Sequence, residues 1–181
     1  KRVMYSITRF IETKLKLKVN ATKTHITRPS NLKYLGFSFY KDIKQNVWKS
    51  KPHKESFIRL FTKLKTLVKR SWSVDLTHRI KKINEVLRGW INYYRKSSMK
   101  TRIKELGAWL RNAIRVIIWK QWKVPSKQIP SLVKLGVDIE QAKGLVFCRK
   151  GYQFIAHSCV LQRAITNYRL KKRGLIDPLD Y

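Results

Sequence analysis

A run of basic amphipathic segments between residues 54 and 122 constrains the fold more than any other feature. In KESFIRLFTKLKTLVKR, which starts at Lys54, apolar residues recur every three or four positions, so they share one helix face opposite the lysines. A second segment begins near Ser73, which we predict as its cap, and a third extends from about Thr101 to Trp122. Three such helices in succession predict a helical bundle.

The middle segment contains LRGWINYYRK, in which one tryptophan and two tyrosines lie among three cations. Trp90 and Tyr94 fall on the same stripe as Leu87 and Ile91, so we predict that both belong to the core. Tyr93 falls off the stripe, and we expect its ring to point outward, where a base or a guanidinium could stack on it.

The N-terminal region has a different pattern. Apolar spacing predicts a helix over Arg2 to Leu17. Two stretches rich in β-branched and aromatic residues, LKVNATKTHITR and LKYLGFSFY, predict a strand, a turn at Pro29 and a second strand, and NVWKS predicts a short third strand. The predicted fold class is therefore α+β: mainly α, with a small antiparallel β segment at the N-terminus followed by a basic helical bundle.

The C-terminal region is predicted to form shorter helices. Pro125 and Pro130 predict a break, after which IPSLVKLG is expected to form a short helix that Gly136 ends. DIEQAKGLVFCRK predicts another helix, which Gly151 breaks, and CVLQRAITNYRLKKRG predicts a final basic one.

The charge of the chain indicates a polyanionic partner. Forty-two Lys and Arg against ten Asp and Glu give a net charge of +32, and self-repulsion of this size favours neutralisation by nucleic acid, an anionic membrane or an acidic protein. A membrane is the weakest candidate, because the apolar run AIRVIIW is too short to span a bilayer. Cys148 and Cys159 lack CxxC spacing and fit a reducing compartment, so the predicted location is the cytoplasm.

The acidic residues do not predict a catalytic centre. A two-metal enzyme needs clustered carboxylates, and the closest pairs here are Asp138 with Glu140 and Asp177 with Asp180, which fit a helix start and a C-terminal turn. The histidines and cysteines are not at zinc-ligand spacing. The prediction is that this chain contains no catalytic residue, no metal site and no cofactor.

Cations interleaved with aromatic residues predict a nucleic-acid surface. RNAIRVIIWKQWKVP and CRKGYQF supply charges for phosphates and flat rings for bases, with Trp119 and Trp122 as further stacking candidates. The predicted RNA-binding residues are Arg88, Tyr93, Arg95, Lys96, Arg111, Arg115, Lys120, Lys123, Arg149, Lys150 and Tyr152.

These motifs, in this order, resemble the C-terminal part of bacterial group II intron-encoded proteins, which are reverse transcriptases and maturases. The resemblance rests on LKLKVNATKT, LKYLGFSFY, LRGWINYYRK, IIWKQWK, RKGYQFIAHS and AITNYRLKKRGLIDPLDY, and extends over essentially all 181 residues. It implies a palm remnant at residues 1–50, the thumb and maturase-specific helices at 51–124, and the remainder of maturase domain X at 125–181.

The resemblance also implies roles for residues near the N-terminus. Lys23 corresponds to a basic residue near the incoming nucleotide, and Leu35, Gly36 and Phe37 correspond to a hairpin that contacts the primer strand. The family's Tyr-Ala-Asp-Asp motif would lie just upstream of Lys1, so we expect this chain alone to be inactive as a polymerase. Mg²⁺ is expected only for the intact polymerase and for the intron RNA.

The partners implied by the resemblance are group II intron RNA and the RNA template–primer duplex, which the helices would grip to assist splicing and mobility. Two alternatives remain open. A polybasic remnant would bind any nucleic acid or an acidic protein without selectivity, and a polymerase would act in its own right if the missing motif were supplied upstream. The oligomeric state is not predicted. Residues 1–50 are expected to be the least ordered part.

Overall fold

A computed structural model describes residues 2–180, which form two compact units divided between Lys51 and Pro52. The N-terminal unit contains α1 (Arg2–Thr13), a 3-10 turn (Pro29–Asn31), β1 (Lys33–Tyr34), β2 (Phe37–Asp42) and β3 (Val47–Pro52). The strands form one antiparallel sheet in the order β1-β2-β3, with Lys33 opposite Ser38. Together with the helices that follow, this sheet confirms the predicted α+β fold class.

The prediction of a strand in LKVNATKTHITR is wrong, because residues 17–28 form irregular structure. The carboxamide oxygen of Asn20 accepts hydrogen bonds from the backbone N–H groups of Thr22 and Lys23, at 3.0 and 3.1 Å. This turn competes with an extended conformation and interrupts the stretch in its middle. α1 also ends earlier than predicted, at Thr13, and Lys16 has a φ of 54°.

α1 has the predicted apolar stripe, but it buries none of its residues. Val3, Ile7 and Phe10 are 69%, 54% and 56% exposed. The N-terminal unit therefore displays an apolar helix face to its surroundings.

The C-terminal unit is helical in the described range. It contains α2 (Lys54–Leu67), α3 (Leu76–Tyr94), α4 (Lys100–Gln121), α5 (Pro125–Lys134), α6 (Ile139–Val146), α7 (Tyr152–His157), α8 (Cys159–Ala164) and α9 (Asn167–Lys172). The three long basic helices are confirmed. The domain boundaries at residues 50 and 124 stay predictions.

The long helices bury their predicted stripes in one hydrophobic cluster. Leu64 of α2, Ile83 of α3 and Ile114 of α4 are fully buried, and the cluster continues through Leu132 and Leu161 of the later helices. Removing this much apolar surface from water is the main stabilising contribution to such a unit.

The aromatic predictions for α3 are confirmed. Tyr94 is 5% exposed, and its hydroxyl makes a 2.7 Å hydrogen bond with that of Ser56. Trp90 is half-buried between Phe57 and Tyr94, at ring distances of 6.1 and 4.6 Å. Tyr93 is 55% exposed, as its position off the stripe predicted.

The cap of α3 is Asp75, so the prediction that Ser73 caps this helix is wrong. The Asp75 carboxylate accepts hydrogen bonds from the backbone N–H groups of Thr77 and His78. Bonds from the Thr77 hydroxyl and N–H hold the pKa of Asp75 below its usual range. A charged cap at this position also interacts favourably with the helix dipole.

Two further helix boundaries differ from the prediction, one at the prolines of α5 and one at Thr166. Pro125 starts α5 and Pro130 lies within it, so the predicted break at Pro130 is wrong. Pro130 is the sixth of the ten residues of α5, where it lacks the N–H that would bond the carbonyl of Ser126. The predicted final helix is split at Thr166, whose hydroxyl accepts from the Arg169 N–H and starts α9. The predicted end of a helix at Gly136, which has a φ of 87°, is confirmed. The predicted start of a helix at Asp138, which caps α6, is confirmed as well.

The segment after α9 folds back onto α3 and α4. The side-chain amide of Asn84 donates to the carbonyl of Gly174 at 2.7 Å and accepts from the N–H of Ile176 at 3.2 Å. We refer to this pair of bonds as the Asn84 clasp. Asp177 then forms an ion pair with Arg111 at 3.3 Å. Among the described helices, none is both long and apolar enough to traverse a bilayer.

Candidate nucleic-acid interface

A groove in the C-terminal unit gathers cations and aromatic rings from α2, α4 and α7. Its volume is about 650 Å³, within the range of roughly 300–1,000 Å³ typical of ligand sites. The lining residues, which define what we call the basic groove, are Lys65, Val68, Lys69, Arg70, Ser71, Trp109, Ala113, Val116, Lys120, Tyr152 and Gln153. None of these residues is acidic.

Arg70 connects the three walls of the basic groove. Its guanidinium carbon lies 4.8 Å from the centre of the Tyr152 ring, so the flat cation lies over the aromatic face. The Lys120 ammonium donates a 3.1 Å hydrogen bond to the Arg70 carbonyl oxygen. The turn after α2 is thereby tied to α4 and α7 at once.

A buried arginine, Arg79 of α3, bonds to the backbone of the turn that follows α2. Arg79 is 2% exposed and donates to the carbonyl oxygens of Leu67, Lys69 and Trp72, the Lys69 bond being 3.0 Å long. Burial lowers the pKa of its guanidinium. Because the Arg79 fork bonds three carbonyls around residues 69–71, it fixes the segment that presents Lys69, Arg70 and Ser71 to the groove.

The floor of the basic groove is apolar. Val116 is 4% exposed, and Trp109 and Ala113 of the same helix are half-buried beside it. The Trp109 ring contacts the Phe61 ring at a centroid distance of 4.6 Å, which restricts its orientation. A site with an apolar floor and a cationic rim suits a ligand that has both a flat apolar part and negative charge.

Of the predicted RNA-binding residues, the structure brings Lys120 and Tyr152 together in the basic groove. Arg149 and Lys150 are exposed and directly precede α7, with the Lys150 ammonium 4.2 Å from the centre of the Phe154 ring. Lys123 is exposed just after α4. The RNA-binding roles of these residues stay predictions.

A second group of predicted residues lies on the C-terminal part of α3 and just after it, outside the groove lining. Arg88, Arg95 and Lys96 are exposed there. Tyr93 presents its ring outward while its edge contacts Tyr94, at a centroid distance of 4.8 Å.

Arg115, one of the predicted RNA-binding residues, is buried in the structure and is not available to contact RNA from the surface of α4. Arg115 is 5% exposed, and its guanidinium donates to the Ile165 carbonyl and to the side-chain oxygens of Asn112 and Asn167, each at 2.9 Å. Burial lowers the pKa of Arg115, and the nearby charge of Arg111 lowers it further. Arg115 therefore joins α4 to the α8–α9 junction.

Two further expectations change for related reasons. Arg111 is largely covered, with 18% of its side chain exposed, and pairs with Asp177. Trp119 is 3% exposed and Trp122 is half-buried against it, so the Trp119 ring has no face open to a base. These residues contribute to the fold of the unit, and we leave them out of the proposed interface.

The predicted residues of the N-terminal unit lie on two turns. Lys23 is exposed on the turn that Asn20 stabilises. Leu35 and Gly36 form the tight turn between β1 and β2, with φ values of 48° and 80°, and Phe37 begins β2. Positive φ at both central residues matches the twist of a two-residue hairpin, and Leu35 at its tip is 66% exposed.

Sequence reasoning missed Lys65, Lys69, Arg70, Trp109 and Gln153 as groove residues. Lys65 and Lys69 are four positions apart in a stretch whose pattern predicts a helix, and this spacing was an available signal, although α2 ends at Leu67 and Lys69 lies just after it. The other three are recognisable only once α7 lies beside α4. In the described part of the chain, no group of three or more His, Cys, Asp or Glu side chains is arranged to hold a metal ion.

Part of the chain matches a known family model. Residues 58–131 match the family model described as group II intron, maturase-specific domain. The matched range begins in α2 and ends in α5, so it includes the walls of the basic groove that α2 and α4 provide, but not Tyr152. No curated protein matches the chain significantly. Over residues 58–131 the match supports the resemblance drawn from the sequence motifs.

Proposed function

From the premise that this chain carries a group II intron maturase-specific domain, we propose that its C-terminal unit binds group II intron RNA through the basic groove and stabilises the RNA fold that splices. The observation that supports the groove as the contact surface is the convergence of Lys65, Lys69, Arg70 and Lys120 without an acidic residue in the lining. In this proposal the RNA performs the splicing chemistry and the protein holds it in place.

Electrostatics would supply most of the affinity. Each phosphate that a Lys or Arg neutralises releases condensed counterions, which favours binding at low salt. The excess of 32 positive charges also attracts RNA over a longer range. Arg149 and Lys150, next to α7, would continue the cationic surface beyond the groove, and Arg88, Arg95 and Lys96 would form a second contact surface on α3.

A second candidate function, contact with a template–primer duplex, concerns the N-terminal unit. The observation that favours it is the exposed tip of the β1–β2 hairpin, where Leu35 is 66% exposed beside Gly36. A short hairpin with an apolar tip is suited to lie against the sugar edges of a primer strand. Loss of duplex binding in Leu35→Ser, with intron RNA binding unchanged, is the expected result.

The groove is tested by removing its charges. The triple variant Lys65→Gln, Lys69→Gln, Lys120→Gln is compared with Lys81→Gln, Lys104→Gln, Lys127→Gln, which removes three exposed lysines outside the lining. The plot of log K against log salt has a negative slope. We expect the groove variant to make this slope less steep by about 2, because each lost phosphate contact removes roughly 0.7–0.9 from its magnitude. The control should change the slope by less than half as much.

Equal effects of the two triple variants would refute the groove as the contact surface. Selectivity is measured separately, by competition between intron RNA and random RNA of equal length. A preference of about a hundredfold or more for intron RNA is expected of a specific complex. Equal affinity would favour the alternative of a polybasic domain without selectivity.

A further inference from the structure

We infer that the basic groove holds one unpaired RNA nucleotide, with its base stacked on Arg70 and its neighbouring phosphates on the lysine rim. This inference rests on the proposed function, since it specifies what part of an RNA the groove takes. It follows from the flat cation over Tyr152, the apolar floor on α4 and the position of the lysines.

The stack of Arg70 on Tyr152 provides the surface for a base. The guanidinium carbon of Arg70 lies over the Tyr152 ring, 4.8 Å from its centre, and Arg70 itself is exposed. Guanidinium planes and aromatic rings are the usual partners of unpaired RNA bases. Because Tyr152 and the Arg79-braced turn already orient Arg70, a base that stacks there orders little additional structure.

The apolar floor of the groove favours a base over a phosphate as the group that enters it. Val68, Ala113 and Val116 offer no hydrogen bond to a phosphate, and burying a charged group against them is unfavourable. A base, whose faces are apolar, gains from the same contact. Ser71 and Gln153, also in the lining, supply donors and acceptors for the polar edge of a base.

The rim determines the rest of the ligand. Lys65, Lys69 and Lys120 lie around the floor, where they would contact the phosphates on either side of an inserted nucleotide. A paired strand of an A-form helix keeps its bases inside the duplex, so it cannot place a base on Arg70. The geometry therefore points to a bulged or looped nucleotide.

The experiment compares two RNA hairpins with the same number of nucleotides, one fully paired and one with a single bulged 2-aminopurine. The full chain should bind the bulged hairpin at least about tenfold more tightly, the scale of one base-stacking contact. Binding should quench the 2-aminopurine fluorescence as its ring stacks. Tight, salt-dependent binding with equal affinity for both hairpins would overturn this inference and leave the proposed function intact.

Two variants separate stacking from charge. Arg70→Lys keeps the positive charge but removes the planar group, so the bulge preference should fall to about twofold or less while the affinity for the paired hairpin stays nearly constant. Ala113→Phe fills the floor and should have the same effect. Ala108→Phe, at an exposed position of α4 outside the lining, is the matched control and should retain the preference.

Retention of the full bulge preference in both Arg70→Lys and Ala113→Phe would overturn the inference. So would a polyglutamate peptide of equal charge that competes as well as the bulged hairpin, because it has no flat ring to stack. Failure of the full chain to bind either hairpin would overturn both this inference and the proposed function.

Discussion

α1 and α3 have similar sequence patterns but differ in how much of their apolar face is buried. Both have apolar residues every three or four positions, yet α1 buries none of its residues, whereas α3 buries Ile80, Ile83, Leu87 and Ile91. α3 has α2 beside it within its own unit, and α1 has no comparable helix in the described N-terminal unit. The comparison teaches that periodicity specifies a helix and its apolar face, while burial depends on which elements lie opposite.

Hydrogen exchange should give the largest contrast between the two helices. We expect amides in the middle of α3 to open only by unfolding of the C-terminal unit, because α3 has buried side chains and α1 has none. We expect protection factors in α3 to exceed those in α1 by about a thousandfold or more. Equal protection, measured by mass spectrometry on the full chain, would show that α1 is stabilised by contacts other than those described.

A matched pair of substitutions should sharpen the contrast. Ile83→Ala removes a side chain that is fully buried, and we expect it to lower the free energy of unfolding by about 2–5 kcal/mol. Ile7→Ala removes the same atoms from a residue that is 54% exposed, and the expected change is within about 0.5 kcal/mol. Urea denaturation followed by circular dichroism measures both, and similar losses would contradict the comparison.

Two arginines of α3 allow the same comparison for charged residues, because Arg79 is buried and Arg88 is exposed. Arg79→Ala leaves the carbonyls of Leu67, Lys69 and Trp72 without their donor, so a loss of roughly 3 kcal/mol is expected. Arg88→Ala, on the exposed face of α3, should cost about 0.5 kcal/mol or less. A loss for Arg79→Ala no larger than that for Arg88→Ala would rule out its role in holding the turn.

The smallest effect should be the pH dependence contributed by the α3 cap. The folded-state pKa of Asp75 is lowered, so the stabilisation from its charge is complete above the unfolded pKa of about 4 and is lost as pH falls through the folded pKa. Asp75→Asn should remove this dependence while keeping a capping oxygen. Urea midpoints of the two proteins should converge at about pH 2–3 and differ slightly, in favour of Asp75, at about pH 6.

The long helices were predictable because their signals are local. In α2 to α4 the apolar spacing, the opposing lysines and the stripe position of Trp90 are all set within a few turns. The irregular structure of residues 17–28 was not predictable from their β-branched content, because the Asn20 turn interrupts the stretch. A single side chain that bonds its own backbone outweighed the composition of the whole stretch.

The candidate site was only partly predictable because its parts are distant in sequence. Lys120 and Tyr152 were found from composition, but their meeting with Arg70 depends on how α2, α4 and α7 pack. Arg115 was misassigned because charge favours the surface in general. Its acceptors, Ile165 and Asn167, come from a segment about 50 residues away, which no local pattern reports.

The Asn84 clasp has a consequence for the order in which the molecule folds. Asn84 bonds to Gly174 and Ile176, which lie 90 and 92 residues further along the chain. Contacts within and between α2 and α3 close short loops, whereas the clasp closes a very long one and is formed only after the intervening helices are compact. We therefore expect the clasp to form after the folding transition state, so that Asn84→Ala accelerates unfolding and leaves the folding rate nearly unchanged.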